Sequence, residues 1–120
     1  MSEKKFVGSV KPSKATAVQF DMLFPILESV FIEFKELSKK KQDGALNEMK
    51  VKITNRILTK VKSILTEDPT VEFLDLLDEV ALPTNSDTVL IIAQYKAAME
   101  QFKAKHHGWD GHENGWHTRD

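Results

Sequence analysis

Apolar side chains return at intervals of three and four through almost the whole of this chain, which is the period of an α-helix packed on one face. No strand-like alternation is sustained, and nothing repeats at the 20 to 50 residues that mark solenoids. The expected fold is therefore all-α: a small antiparallel bundle of about four helices with an irregular C-terminal tail.

Residues 13–41 place Phe20, Leu23, Leu27, Phe31 and Phe34 on one side of a helix, with Ser13 as its N-cap. Pro25 removes a backbone donor and disfavours helical geometry at Phe24, so this element is expected to kink or split there. Met22, Phe24 and Ile32 lie off the main seam. A helix apolar on more than one side is suited to a central position or to an oligomer contact. Lys39, Lys40 and Lys41 followed by Gln42, Asp43 and Gly44 close it with favourable last-turn charge and a turn.

A second helix is expected over residues 45–65, pointing Leu46, Met49, Ile53, Ile57, Val61 and Ile64 at the core. Asp68 before Pro69 reads as an N-cap with proline in the first turn, opening a third helix to about Ala81 that buries Phe73, Leu74, Leu77 and Val80. Pro83 closes the next turn. The last helix, residues 86–107, carries Ile92, Tyr95, Met99 and Phe102 inward, with Ser86 or Asn85 as cap and Gly108 as stop.

A chain of 120 residues supports one core, so a single bundle domain over residues 13–107 is expected between a polar arm (1–12) and a tail (108–120). The absence of cysteine excludes disulfides, thiolate zinc sites and cysteine nucleophiles together. The polar, lysine-bearing start and the lack of a long uncharged run argue for a cytoplasmic protein that does not cross a membrane.

The formal net charge is −1, yet the charge is segregated along the chain: nine basic against three acidic residues between positions 35 and 62, then eight acidic against one basic between 67 and 100. Lys52, Arg56 and Lys60, four apart, form a stripe able to neutralise phosphates of a nucleic acid. The plainer reading is that the stripe faces the acidic residues Glu72, Asp75, Asp78 and Glu79 or solvent, because the domain is not basic overall and no aromatics interleave with the lysines.

The segment HHGWDGHENGWHTRD at residues 106–120 holds all four histidines, both tryptophans and three of the five glycines. His107, His112 and His117, with Asp110 and Glu113, are ligand types for a divalent metal such as zinc, nickel or manganese, although their spacing fits no established metal motif. Trp109 and Trp116 each follow a glycine, and two large aromatics have little use in a fully solvated tail. They either fold back on the bundle or anchor a partner.

The sequence lacks a P-loop, a dinucleotide fingerprint and a nucleophile in a glycine turn, so an enzyme is not the first expectation and no cofactor is implied. The leading reading is a non-enzymatic protein-interaction module, a subunit, adaptor or regulator that contacts a protein partner or a second copy through Trp109, Trp116, Phe24 and Ile32. A nucleic-acid-associated accessory protein using Lys52, Arg56 and Lys60 and a metal-binding protein using His107, His112 and His117 are the rival readings.

Overall fold

A computed structural model describes residues 10–120; most of the N-terminal arm (1–12) lies outside the described residues. The chain is mostly helical, in the order α1 (Lys14–Lys40), α2 (Glu48–Ile64), a 3₁₀ turn (Pro69–Phe73), α3 (Asn85–His106), β1 (His107–Trp109) and β2 (Asn114–Trp116). Among the described residues there are thus three α-helices instead of four, and the C-terminal tail is a β-hairpin instead of irregular chain.

Helix α1 starts where its capping residue places it. The Ser13 side chain accepts a hydrogen bond from the Thr16 N–H at 3.1 Å, and Lys39 and Lys40 complement the carbonyl end. The helix runs unbroken through Pro25, so the expected split does not occur. Pro25 and Asp21, the residue whose carbonyl loses its donor, both lie on the exposed side, where water meets the orphaned group. The opposite side buries Ala17, Phe20, Leu23, Leu27 and Phe34. This helix contains a stretch that is long and apolar enough, by length and composition, to cross a bilayer, contrary to the sequence expectation; it belongs here to a helix with a buried seam.

Phe20 of α1 stacks on Phe102 of α3 (ring centroids 5.9 Å apart), and Glu28 of α1 lies 3.9 Å from Lys96 of α3, so these two helices run antiparallel. Helix α2 flanks them, with Asn47 as its N-cap. Its buried residues are Val51, Thr54, Asn55, Leu58, Val61 and Ile64. Of the expected core face, Leu46, Val61 and Ile64 are buried, but Met49 is 70% exposed, Ile53 is also exposed and Ile57 is only partly buried, so the buried face is turned from the expected one. Val51, Leu58 and Leu65 complete the buried side, and polar Thr54 and Asn55 among them disguise it as a solvent face.

The largest departure lies after the 3₁₀ turn. Asp68 caps that turn as expected, accepting from the Thr70 N–H at 2.9 Å, but the helix does not continue to Ala81. Residues 74–84 cross the bundle as a strap without helix that buries Leu74 and Leu77 and leaves Val80 (93% exposed) outside; Phe73, at the end of the 3₁₀ turn, is also exposed (67%). Its backbone finds partners on the helices. The Asn55 amide accepts from the Leu77 N–H at 2.8 Å and donates to the Leu77 carbonyl at 2.9 Å; Tyr95 Oη donates to the Asp75 carbonyl and Lys62 Nζ to the Leu74 carbonyl. Asp78 accepts from the N–H groups of Ala81 and Val80, which holds its carboxyl below the usual range and fixes a turn in what was expected to be helix.

The strap ends in a bridge between Ala45 and Thr84, and Thr84, one residue earlier than expected, caps α3 by accepting from the Asp87 N–H. Ile92, Tyr95, Met99 and Phe102 point inward from α3 as the spacing predicts. Gly108 does not stop this helix: the chain passes at His107 directly into β1.

Asn55→Ala strips partners from the N–H and the carbonyl of buried Leu77. The substitution is expected to lower unfolding stability by about 2–4 kcal/mol, read from urea denaturation; a loss under about 0.5 kcal/mol would show that the strap does not depend on this bond pair.

Candidate functional site

The C-terminal hairpin pairs His107 with Trp116, Gly108 with Gly115 and Trp109 with Asn114. Its turn is built by Asp110, whose Oδ1 accepts from the N–H groups of His112 and Glu113, and by Gly111, whose φ of 103° is a left-handed value that glycine takes without strain. The bonds from Glu113 and His112 hold the Asp110 carboxyl below its ordinary value.

The two tryptophans part company across this hairpin. Trp116 lies against the bundle, edge-on to Phe20 at 4.9 Å and tilted to Phe102 at 6.2 Å, and its Nε1 donates to the Asp21 carboxylate at 3.1 Å. Phe24, half-buried, stacks on Phe20 at 5.4 Å. Two of the four residues expected to meet a partner are therefore used inside the chain, the tail having folded back. Trp109 (68% exposed) and Ile32 remain on the surface, on separate elements.

The three candidate metal ligands do not converge. His112 is exposed in the hairpin turn, His107 packs its ring 5.1 Å from that of Trp116, and the buried Nε2 of His117 has no hydrogen-bond partner among the described residues. No group of three His, Asp or Glu side chains among the described residues is arranged to hold a metal ion.

His106, which sequence reasoning did not single out, is the buried imidazole. It lines a cleft of about 210 Å³ between the starts of α1 and the ends of α2 and α3, with Thr16, Ser63, Glu67, Asp68 and Arg119. Burial pushes its pKa below the ordinary 6.5, helped by Lys105 and His117 and opposed by Asp68. The Asp68 carboxyl is disfavoured by burial, yet hydrogen bonds from Thr70 and Lys105 bring it below its usual value. Lys105 reaches Asp68 at 3.1 Å and Arg119 reaches Glu67 at 3.5 Å, so the charges of the cleft compensate one another in pairs.

Lys52, Arg56 and Lys60 are all exposed on α2 and form no ion pair among the described residues. None of them reaches ion-pair distance of Glu72, Asp75, Asp78 or Glu79 among the described residues; the hydrogen bond from α2 to that acidic group is made by Asn55, which donates to the Glu79 carboxylate at 3.4 Å. Beside the stripe lies the apolar surface that the rotated α2 face creates. Met49 and Ile53 on α2 and Val18, Met22 and Ile26 on α1 are exposed, and between the helices runs a groove of about 320 Å³ lined by Val30, Phe34, Leu37, Lys50, Ile53 and Thr54, with Glu33 at its edge. Met22 was legible in the sequence as lying off the main seam, whereas Ile26, Met49 and Ile53 were not.

No family model, curated protein or solved structure matches this chain.

Trp116→Ala is expected to cost about 2 kcal/mol of stability through lost burial and ring contacts, and Trp109→Ala less than about 0.5 kcal/mol. Urea midpoints of the two variants check this; equal losses would mean that the docking of Trp116 carries no energy. For His106 the folded state favours the neutral ring, so its contribution is intact above pH 6.5 and falls away as pH drops below that value, because the unfolded chain takes up the proton first. The urea midpoint should fall from pH 7 to pH 5 more steeply for the wild-type chain than for His106→Gln; parallel curves would locate the acid sensitivity elsewhere.

Proposed function

We propose that this chain is a non-enzymatic protein-interaction module, a subunit, adaptor or regulator that binds a protein partner through the α1–α2 surface. The observation that carries this reading is the placement of Met22, Ile26, Met49 and Ile53: large apolar side chains exposed on two adjacent helices, of which Ile53 lines the groove between them. Single exposed apolar residues are ordinary, but a cluster bordering a concavity is the form of a contact surface. The hairpin contributes to this reading in a different way from that expected from the sequence. Trp116 and Phe24 stabilise the fold, and Trp109 is left as a separate exposed anchor.

The rival readings have less support. The tail histidines do not gather into a metal-holding group among the described residues, and the charges of the His106 cleft are engaged in the pairs Lys105–Asp68 and Arg119–Glu67. The basic row is unpaired among the described residues, which suits an anionic surface, but it adjoins apolar side chains instead of the aromatic platforms that stack on bases.

A photo-crosslinking amino acid placed at Ile26 or Ile53, in the chain expressed in its own cells, is expected to give discrete protein adducts. The same group at exposed Lys103 on α3 serves as the control. Adducts confined to the two groove positions support the reading; no adducts, or the same adducts from all three positions, overturn it.

A further inference from the structure

The groove and the basic row have so far been separate features, but they are neighbours on one helix. Met49, Ile53 and Ile57 lie four apart on α2, and Lys52, Arg56 and Lys60 follow each of them at the next i+3 position, so the apolar row and the basic row run side by side. On the other wall, Val18, Met22, Ile26 and Val30 form a four-spaced row on α1, exposed at its start and entering the groove at Val30. The surface is thus a groove with apolar walls at Val30, Phe34, Leu37 and Ile53, flanked by further exposed apolar side chains on both helices and by a cationic row along α2.

We propose that this groove is the docking site for an acidic amphipathic helix of a partner protein, an inference that rests on the interaction-module reading above. The shape favours a helix over a flat surface: a row of apolar side chains at i, i+3 or i+4, and i+7 presents successive anchors to a channel between two helices. The charge fixes which helix. Lys52, Arg56 and Lys60 repeat at one helical turn and lack ion-pair partners among the described residues, so carboxylates repeating at the same interval on the partner meet them in register. Lys50, lining the groove itself, adds a fourth cation, opposed locally by Glu33. The acidic residues of this chain are not paired with this row: the strap that carries them lies against the neighbouring side of α2, at Asn55 and Lys62, and among the described residues none of Glu72, Asp75, Asp78 and Glu79 forms an ion pair with Lys52, Arg56 or Lys60.

The test uses the full chain and a fluorescein-labelled synthetic helical peptide of about 18 residues with leucines at i, i+3, i+4 and i+7 and glutamates flanking them, compared with the same peptide carrying lysines in place of the glutamates. Fluorescence anisotropy is expected to show the glutamate peptide bound at least about tenfold more tightly than the lysine peptide, with the affinity falling as NaCl rises from about 50 to about 500 mM. Two variants separate the contributions: the triple reversal K52E/R56E/K60E, which alters exposed side chains only, is expected to remove the preference for glutamate, and Ile53→Ser is expected to weaken both peptides. Circular dichroism confirms that each variant stays folded.

Equal binding of both peptides, or binding of neither, overturns the proposal. Crosslinks to a protein partner through Ile26 and Ile53 that survive the triple reversal would leave the interaction-module reading standing while sinking the acidic-helix inference. Binding to vesicles of phosphatidylcholine and phosphatidylserine, or to a DNA duplex, that depends on the basic row while the glutamate peptide fails to bind would assign the row to a lipid or phosphate surface and likewise overturn it.

Discussion

The three helices of this chain do not complete its core by themselves: one side is closed by Leu74 and Leu77, carried on backbone that has no helix or sheet of its own. That solution is tolerable only if the polar groups of the crossing segment are satisfied, because a buried N–H or carbonyl without a partner costs more than most side-chain contacts contribute. Asn55 is therefore central. It lies within the buried row of α2, a position that hydrophobic packing alone would give to an aliphatic residue, and it takes both the donor and the acceptor of Leu77. Tyr95 and Lys62 do the same for one carbonyl each. With these bonds in place, Leu74 and Leu77 can be set into the core from an extended chain, and Asp75 between them remains outside.

The same accommodation determines which way α2 turns. A helix that directs Asn55 to the strap must also direct Val51, Leu58 and Leu65 inward, and this rotates Met49 and Ile53 towards solvent. The exposed apolar surface is thus coupled to the way the core is closed. The basic row adjoins the row at Met49, Ile53 and Ile57 by its i+3 spacing alone; the rotation brings that apolar row out of the core, so that charge and apolar surface are exposed together.

These couplings explain what was legible beforehand. The extent of α1, the cap at Ser13 and the inward row of α3 follow from local signals, capping chemistry and a clean apolar period, and those were read correctly. The strap was misread because Leu74 and Leu77 are three apart in either an extended or a helical chain, while the bonds that decide between the two come from residues 20 or so positions away. The core face of α2 was misread for the same reason: Asn55 looks like a surface residue until its partner is known. In the tail, the composition pointed to docking but could not distinguish the two tryptophans, because Trp116 is held by Asp21 and Phe20 near the other end of the sequence as well as by Phe102. The candidate surface was half legible, its basic row visible as a spacing and its apolar row hidden within an expected core.

The bond between Trp116 and Asp21 joins residues 95 positions apart, whereas Asn55 and Leu77 are separated by 22. Closing the longer loop on an unstructured chain costs about 1 kcal/mol more in entropy, and the surface that receives the indole does not exist until Phe20 and Phe102 have been brought together from different helices. The docking of the hairpin consequently presupposes the packing of α1 on α3, itself a contact between distant parts of the chain, and residues 107–120 then settle on a platform already made. Seen in this order, the C-terminal segment acts as a clasp on a finished body and not as part of the nucleus from which that body grows.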